Sequence, residues 1–247
     1  MCAARLCELN ANKKWRCVEG GKYNIFTTIW DGGGTDTYDF SNYTTNLNVN
    51  LQPGGWTTLD PDGHQQLADL AANPANGHVW AAGNIANALV FDFNDGAPGS
   101  GAGVIENATG GSGNDTIIGN YANNVLIGND GADALIGGAG ADTLTGGPGN
   151  DYFVFNSLIG YDTIADFVSG SDKVEFDHTV FTAIGSSLTS DEVRFGATAA
   201  DPNDYIIYDS SDGLLSYDAD GSGGGTAVQV ALLGTHPVLS FGDFSIV

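Results

Sequence analysis

The sequence predicts an all-β chain: a right-handed parallel β-roll capped by antiparallel strands. Three observations predict it. Five nine-residue repeats run without a gap from Gly110 to Val154, reading GGSGNDTII, GNYANNVLI, GNDGADALI, GGAGADTLT and GGPGNDYFV. Upstream, residues 23–49 alternate apolar and polar side chains in FTTIW, TDTYDF and TNLNVNL, the pattern of half-buried strands. Downstream, Tyr205–Tyr208, Leu214–Tyr217 and Ala227–Leu233 read as antiparallel strands joined by tight turns, which would close the open end that a solenoid must protect.

Each repeat divides its labour by position. Glycines at positions one, two and four permit a tight loop. The sixth position is acidic in four repeats (Asp115, Asp133, Asp142, Asp151) and supplies a hard oxygen. The eighth position carries a large apolar residue (Ile117, Leu126, Leu135, Leu144, Phe153) expected to point inward from a short strand. Two repeats make one coil, so each turn lies above the turn two repeats away. Calcium takes about six to eight oxygens, and one glycine-rich turn offers about half of that shell. Two stacked turns complete it. The expected pairs are Asp115 with Asp133, Asn124 with Asp142, and Asp133 with Asp151. The candidate metal residues of the turns are Gly111, Gly113 and Asp115; Asn120, Ala122 and Asn124; Gly128, Asn129, Gly131 and Asp133; Gly137, Gly138, Gly140 and Asp142; and Gly146, Gly147, Gly149 and Asp151. The middle pair should be weakest, because Asn120, Ala122 and Asn124 replace two glycines and the aspartate. A disordered Gly/Asp linker would have no reason to keep an apolar residue at every ninth position. Nonapeptides of this pattern form the calcium-binding parallel β-rolls of RTX proteins.

Charge supports a cation partner. The 247 residues carry 30 acidic and 7 basic side chains, a net charge of −23. Such a body repels nucleic acid and anionic lipid, and repels itself unless cations neutralise it. Binding of calcium to the folded state alone adds stability by mass action. Five of the seven basic residues (Arg5, Lys13, Lys14, Arg16, Lys22) and all three cysteines (Cys2, Cys7, Cys17) fall in residues 1–22. That segment is foreign in character to the rest and is expected to lie outside the roll. It lacks the apolar stretch of a signal peptide, and no run of about 18 apolar residues suggests a membrane span. The expected organisation is therefore an atypical segment 1–22, lead-in strands and a first coil over 23–109, the repeats over 110–155, and a C-terminal cap over 156–247.

Between the first two strands, Asp31 and Asp36 flank Gly32, Gly33 and Gly34. This is either a plain glycine turn or a cation site. A short helix is expected at Gln65–Ala72. In repeat register Gly101 takes position one, Glu106 the acidic position and Ala108 the inward one, so the roll should begin one coil before the repeats become regular. A second helical turn is expected near Leu188–Val193, capped by Thr189 or Ser190. Asp218–Gly223 imitates the start of an EF-hand loop, but position twelve is Gln229 and strands flank it, which favours a hairpin turn.

IWDGGGTDTYDFS, VIENATGGSGNDTIIGN, the repeats, DTIADFVSGSDKVEF, IIYDSSDGLLSYDADG and the DFSIV end resemble, in this order, the C-terminal domain of serralysin-type secreted metallopeptidases. The similarity spans about residues 23–247. It implies a β-roll, several bound calcium ions, an extracellular location, and export by a type I ABC machine that reads a C-terminal signal. It also implies that Asp31, Gly33, Gly34, Asp36, Glu106, Asp162 and Asp172 hold calcium, and that a zinc metalloendopeptidase domain belongs to the parent protein. One departure is Val104, where the family has threonine two residues before the glutamate. Carbonyl ligands upstream of the roll have no counterpart in residues 1–22, which leaves the first calcium site short of ligands.

The peptidase activity itself does not carry over to these residues. Zinc peptidases of this kind need HExxH, and His64, His78, His178 and His236 do not have that spacing. No G-x-S-x-G elbow is present. No zinc and no catalytic residue is therefore expected, and each histidine reads as a surface or turn residue. Two other readings stand beside the calcium-folding module. One is the C-terminal part of another secreted hydrolase. The other is a stand-alone surface or adhesion module, for which Trp56 and Trp80 would be the residues to inspect.

Overall fold

The computed structural model describes residues 34–59 and 104–247, and otherwise only the backbone of four short strands, Glu8–Leu9, Lys14–Arg16, Thr27–Ile29 and Ile85–Asn87. The helix expected at Gln65–Ala72, the three cysteines, His64, His78, Trp80, Asp31 and Gly33 lie outside the described residues.

Two walls of three- and four-residue strands face each other. One contains Thr37–Asp39, Asn107–Thr109, Val125–Ile127, Thr143–Thr145 and Asp162–Ile164, paired in parallel in that order. The other contains Asn48–Asn50, Thr116–Ile118, Ala134–Ile136, Tyr152–Phe155, Lys173–Phe176 and Phe244–Ile246, again all parallel. Successive repeats alternate between the walls, as a two-repeat coil requires.

The register aligns the inward positions into two columns. Tyr38, Ala108, Leu126, Leu144, Ile164 and Leu233 stack on one wall. Val49, Ile117, Leu135, Phe153, Val174 and Phe244 stack on the other. All twelve are buried, including Ala108, whose inward place follows from the extended repeat register. Strand side chains alternate in and out, so a three-residue strand with a central apolar residue buries one side chain per half-coil. Each such burial contributes about 1.5–3 kcal/mol.

Beyond Phe155 the interior widens and is filled by rings. Phe176 stacks on Phe155 at 6.0 Å and meets Phe181 edge-on at 5.0 Å, and Phe181 meets Tyr217 at 5.0 Å. The expected cap strands form at Ile206–Asp209, Leu214–Tyr217 and Val228–Leu233 and pair antiparallel. Val228–Leu233 also pairs in parallel with Asp162–Ile164, so the cap continues one wall of the roll instead of lying across its end. The helical turn near 188–193 is a single 3-10 turn, Ser190–Glu192, and the Glu192 carboxylate accepts the N–H and hydroxyl of Thr189. At a second short 3-10 turn, Phe241–Asp243, Asp243 accepts from Ser169 Oγ, Gly170 N–H and Ser240 N–H, pinning the last strand to the turn before Asp172.

One boundary differs from expectation. Lys14–Arg16 pairs in parallel with Thr37–Asp39, which sets the backbone of residues 14–16 on a wall of the roll. The unusual charge and cysteine content of residues 1–22 describes side chains, whereas strand addition needs only free backbone N–H and C=O groups at a sheet edge. Among the described residues no helix is long and apolar enough to cross a membrane.

Candidate metal centre

The strands are three residues long because glycine turns interrupt them, and the turns carry the acids. Each acid is folded back beneath its own turn, away from water: Asp133 and Asp151 have no exposed surface, and Asp115, Asp142, Asp162 and Asp172 are buried. One oxygen of each accepts the backbone N–H of the matching residue one coil earlier. The distances are 2.8 Å from Leu47 to Asp115, 2.7 Å from Asp115 to Asp133, 3.0 Å from Asp133 to Asp151 and 3.1 Å from Asp151 to Asp172. On the opposite flank they are 2.7 Å from Asn124 to Asp142 and 3.0 Å from Asp142 to Asp162. The three stacked pairs read from the repeats are thus neighbours in space, and Asp162 and Asp172 extend the two ladders. Asp36 donates its N–H to Glu106 Oε2 at 2.7 Å, joining those two residues in the same way.

The second oxygen of each acid decides what the turns can do. The Oδ2 atoms of Asp133, Asp142 and Asp151 are buried and receive no hydrogen bond. A buried carboxylate oxygen left without a donor is costly. These atoms lie against the first glycines of their own turns: a Cβ added to Gly128, Gly137 or Gly146 would strike them. A Cβ on Gly131, Gly138, Gly140, Gly147 or Gly149 would strike the carbonyl oxygen of Gly113, Asn120, Ala122, Asn129 or Gly131, respectively, in the turn one coil earlier. Gly131, Gly138, Gly140 and Gly147 also have positive φ, a conformation open to glycine at little cost. Carboxylate and carbonyl oxygens are therefore packed close together at these turns. Among the described residues no three His, Cys, Asp or Glu side chains converge on one point, so the donor set is pairs of acids completed by backbone carbonyls. That is the chemistry of a hard, flexible-geometry cation, and it fits calcium.

Other residues singled out in the sequence take the following positions. Gly111 N–H donates to Asp115 Oδ2 at 2.6 Å. Asn129 adopts φ 76° and ties its side chain to Gly110 C=O at 2.7 Å. Gly34 has φ 133° and precedes the buried Asp36. Asp218 and Asp220 form the hairpin loop between Leu214–Tyr217 and Val228–Leu233: Asp218 accepts the Asp220 N–H, and Asp220 accepts the Gly225 N–H at 3.0 Å. Of the described histidines, His178 is on the surface beside the Val247 carbonyl and His236 sits in a turn with φ 48°. Trp56 is half-buried.

Two groups escaped the sequence reading. Asp166 accepts the N–H groups of Gly146 and Gly147 at 3.0 and 2.8 Å, from a position with no place in the nine-residue register. The asparagines at position five also bridge coils: Asn46 accepts from Asn114, Asn114 from Ala132, and Asn123 from Ala141, all at 2.9 Å. The recurrence of asparagine just before the acid was the available signal.

Burial pushes Asp133 and Asp162 up to about 7, and Asp115, Asp142 and Asp151 up to about 6, from an ordinary 3.8; Asp172 is raised by the same cause. The neighbouring Asp115 and Asp151 charges add to the shift at Asp133. In the ion-free chain these groups hold protons in the folded state that they lose when unfolded. Their contribution is present below about pH 4 and is lost as pH rises to about 7. An ion-free sample is expected to gain β structure when taken from pH 7.5 to pH 5, followed by circular dichroism. A signal that stays flat or falls counts against a buried acid ladder.

Known proteins share these features. The family model described as the RTX calcium-binding nonapeptide repeat (4 copies) matches residues 101–133, 109–144 and 127–157. The model described as peptidase M10 serralysin C terminal matches residues 8–62, a span that begins inside the segment first set apart. Metalloprotease AprA of Pseudomonas entomophila is 34% identical over 223 residues, covering 88% of this chain and 39% of that protein. Serralysin G of Dickeya chrysanthemi is 39% identical over 171 residues (67% and 30%), and a serralysin of Photorhabdus luminescens is 38% identical over 171 residues (67% and 29%). The chain thus spans about two fifths or less of the length of these relatives. With buried acid ladders, glycine turns and these matches together, the chain is an RTX calcium-binding repeat block with a serralysin-type C-terminal domain, homologous to the serralysins and AprA metalloproteases.

Proposed function

We propose that the chain is a calcium-dependent folding module that serves as the non-catalytic C-terminal part of a secreted, serralysin-like metalloendopeptidase. The observation that carries this reading is the set of buried Asp133, Asp142 and Asp151 oxygens without donors, packed among carbonyls. The ligands would come from the turns of residues 110–151, with Asp162 and Asp172 closing the two ladders and Asp36 with Glu106 at the other end. Asp31 and Gly33 belong to the same proposal by resemblance. A bound calcium ion supplies the positive charge that these acids lack. The chain's own part is to deliver acids already oriented by backbone N–H groups, two to each gap except that between Asn124 and Asp142, which has one.

A chain of net charge −23 without ions has little reason to collapse. At low cytosolic calcium it would remain open and pass a type I ABC exporter, and at millimolar calcium outside the cell it would fold. The repeats at 110–155 would be the calcium-filled section and residues 156–247 the cap that bears the export signal. A calcium titration of the full chain, followed by circular dichroism, should show coil turning to β structure. A spectrum that calcium leaves unchanged refutes the proposal.

A further inference from the structure

The second repeat breaks the pattern of its neighbours. Its sixth residue is Asn124 where the other four repeats carry aspartate, and its second is Asn120 where only the third repeat also has asparagine; Asn120 and Asn124 are both buried. Their polar side-chain atoms all have partners. Asn120 Nδ2 donates to Leu51 C=O at 3.1 Å and to Ile105 C=O at 2.8 Å. Asn124 Nδ2 donates to Glu106 C=O at 2.6 Å and to Asn120 Oδ1 at 3.2 Å. Asn120 Oδ1 accepts Ala122 N–H at 2.9 Å, and Asn124 Oδ1 accepts Asn120 N–H at 2.8 Å. The direction of each amide is fixed by its partner, because a carbonyl oxygen can only accept.

This arrangement does not suit a cation. Among the described residues, the carbonyls of Leu51, Ile105 and Glu106 in the coil below face this turn, and each already receives an N–H from its asparagines. Two neutral amides bring no charge, and they point hydrogens where an ion needs lone pairs. The contrast with Asp133, Asp142 and Asp151, each with an unfilled buried oxygen, is internal to the same roll.

We infer that Asn120 and Asn124 replace a calcium ion with a permanent amide cross-link, so that the coil joining residues 105–106 to 120–124 closes without metal. The inference rests on the calcium reading of the other turns. It goes beyond a merely weakened site: this turn takes no ion there, and it gives the roll a calcium-independent seam from which the ion-filled coils can grow. An interlocked pair of amides suits that role, since it forms whenever the two coils meet, whatever the calcium concentration.

Native mass spectrometry of the full chain in calcium counts the ions. The chain carrying Asn120→Ala, which keeps the backbone carbonyl at 120 and leaves Asn124 facing Asp142, should keep the wild-type ion count while its melting temperature at saturating calcium falls by about 5 °C. The chain carrying Asn120→Gly with Asn124→Asp, which gives the second repeat the residues found at positions two and six of the first, fourth and fifth, should bind one more ion than wild type. Loss of an ion in the alanine chain would show that the Asn120 side-chain oxygen is a ligand and would overturn the inference. An unchanged count in the Gly/Asp chain would overturn it too. If that chain does not fold, the alanine chain decides alone. A wild-type chain that takes up no calcium sinks the calcium reading itself, and the zero count tells that failure apart.

Discussion

Replacing Asp133 with alanine is expected to raise the calcium concentration at the folding midpoint by about tenfold or more. Asp133 stands in the middle of its ladder. Its Oδ1 accepts the Asp115 N–H, its own N–H donates to Asp151, and its Oδ2 has no donor. One substitution therefore removes an acid from two gaps and strands the Asp115 N–H. A hydrogen bond to a charged group is worth about 1.5–3 kcal/mol, and about 1.4 kcal/mol is a factor of ten in affinity. Asp130→Ala is the control. Asp130 is exposed and lies three residues away, so it removes the same charge without touching the ladder. Its midpoint should move by less than about twofold. If the two variants shift together, Asp133 acts through net charge and the stacked-turn geometry is irrelevant to binding.

Phe153→Ala is expected to lower the stability of the calcium-saturated chain by about 3–5 kcal/mol, read from urea denaturation. Phe153 is fully buried, between Leu135 and Val174 in its column and 5.9 Å from the ring of Phe167. The cavity cannot close by collapse. Glycine turns in contact with the carbonyls of the previous coil hold successive coils at a set spacing. The neighbouring Tyr152 faces outward on the same strand, and Tyr152→Ala should change stability by no more than about 0.5 kcal/mol. Equal losses at the two positions would mean that the alternation of the strand has been misread.

The centre of the fold was legible because its sequence signal is periodic. Position eight of every repeat maps onto a buried column, position six onto a ladder, and the eighteen-residue spacing onto strand register. Ala108 could be placed for the same reason, although the repeat around it is degenerate. Legibility failed where the period lapsed. The strands at Thr37–Asp39 and Asn48–Asn50 were visible as alternation, but alternation says nothing about which strand they lie beside. After Asp142 and Asp151 the ladder steps lengthen to 20 and 21 residues, so Asp166 fell out of register while still holding two N–H groups of the fifth repeat. The placement of Lys14–Arg16 was missed because backbone pairing leaves little trace in composition. At Asn120 and Asn124 the sequence showed that ligands were missing. Only the structure shows what stands in their place.

The alternation of repeats between the two walls has a consequence for how such chains change length. Nine residues carry the backbone half-way round, so the roll behaves as a half-turn screw. Removing eighteen residues shortens the stack and returns every later strand to its own wall. Removing nine would send everything downstream to the opposite wall. Val228–Leu233 would stay beside Asp162–Ile164, because both lie downstream, and the two would move together to the opposite wall, as would Phe244–Ile246 with Lys173–Phe176. An odd change in repeat number therefore turns the cap half a turn against the lead-in strands Thr37–Asp39 and Asn48–Asn50, whereas an even change keeps the two ends in their present orientation.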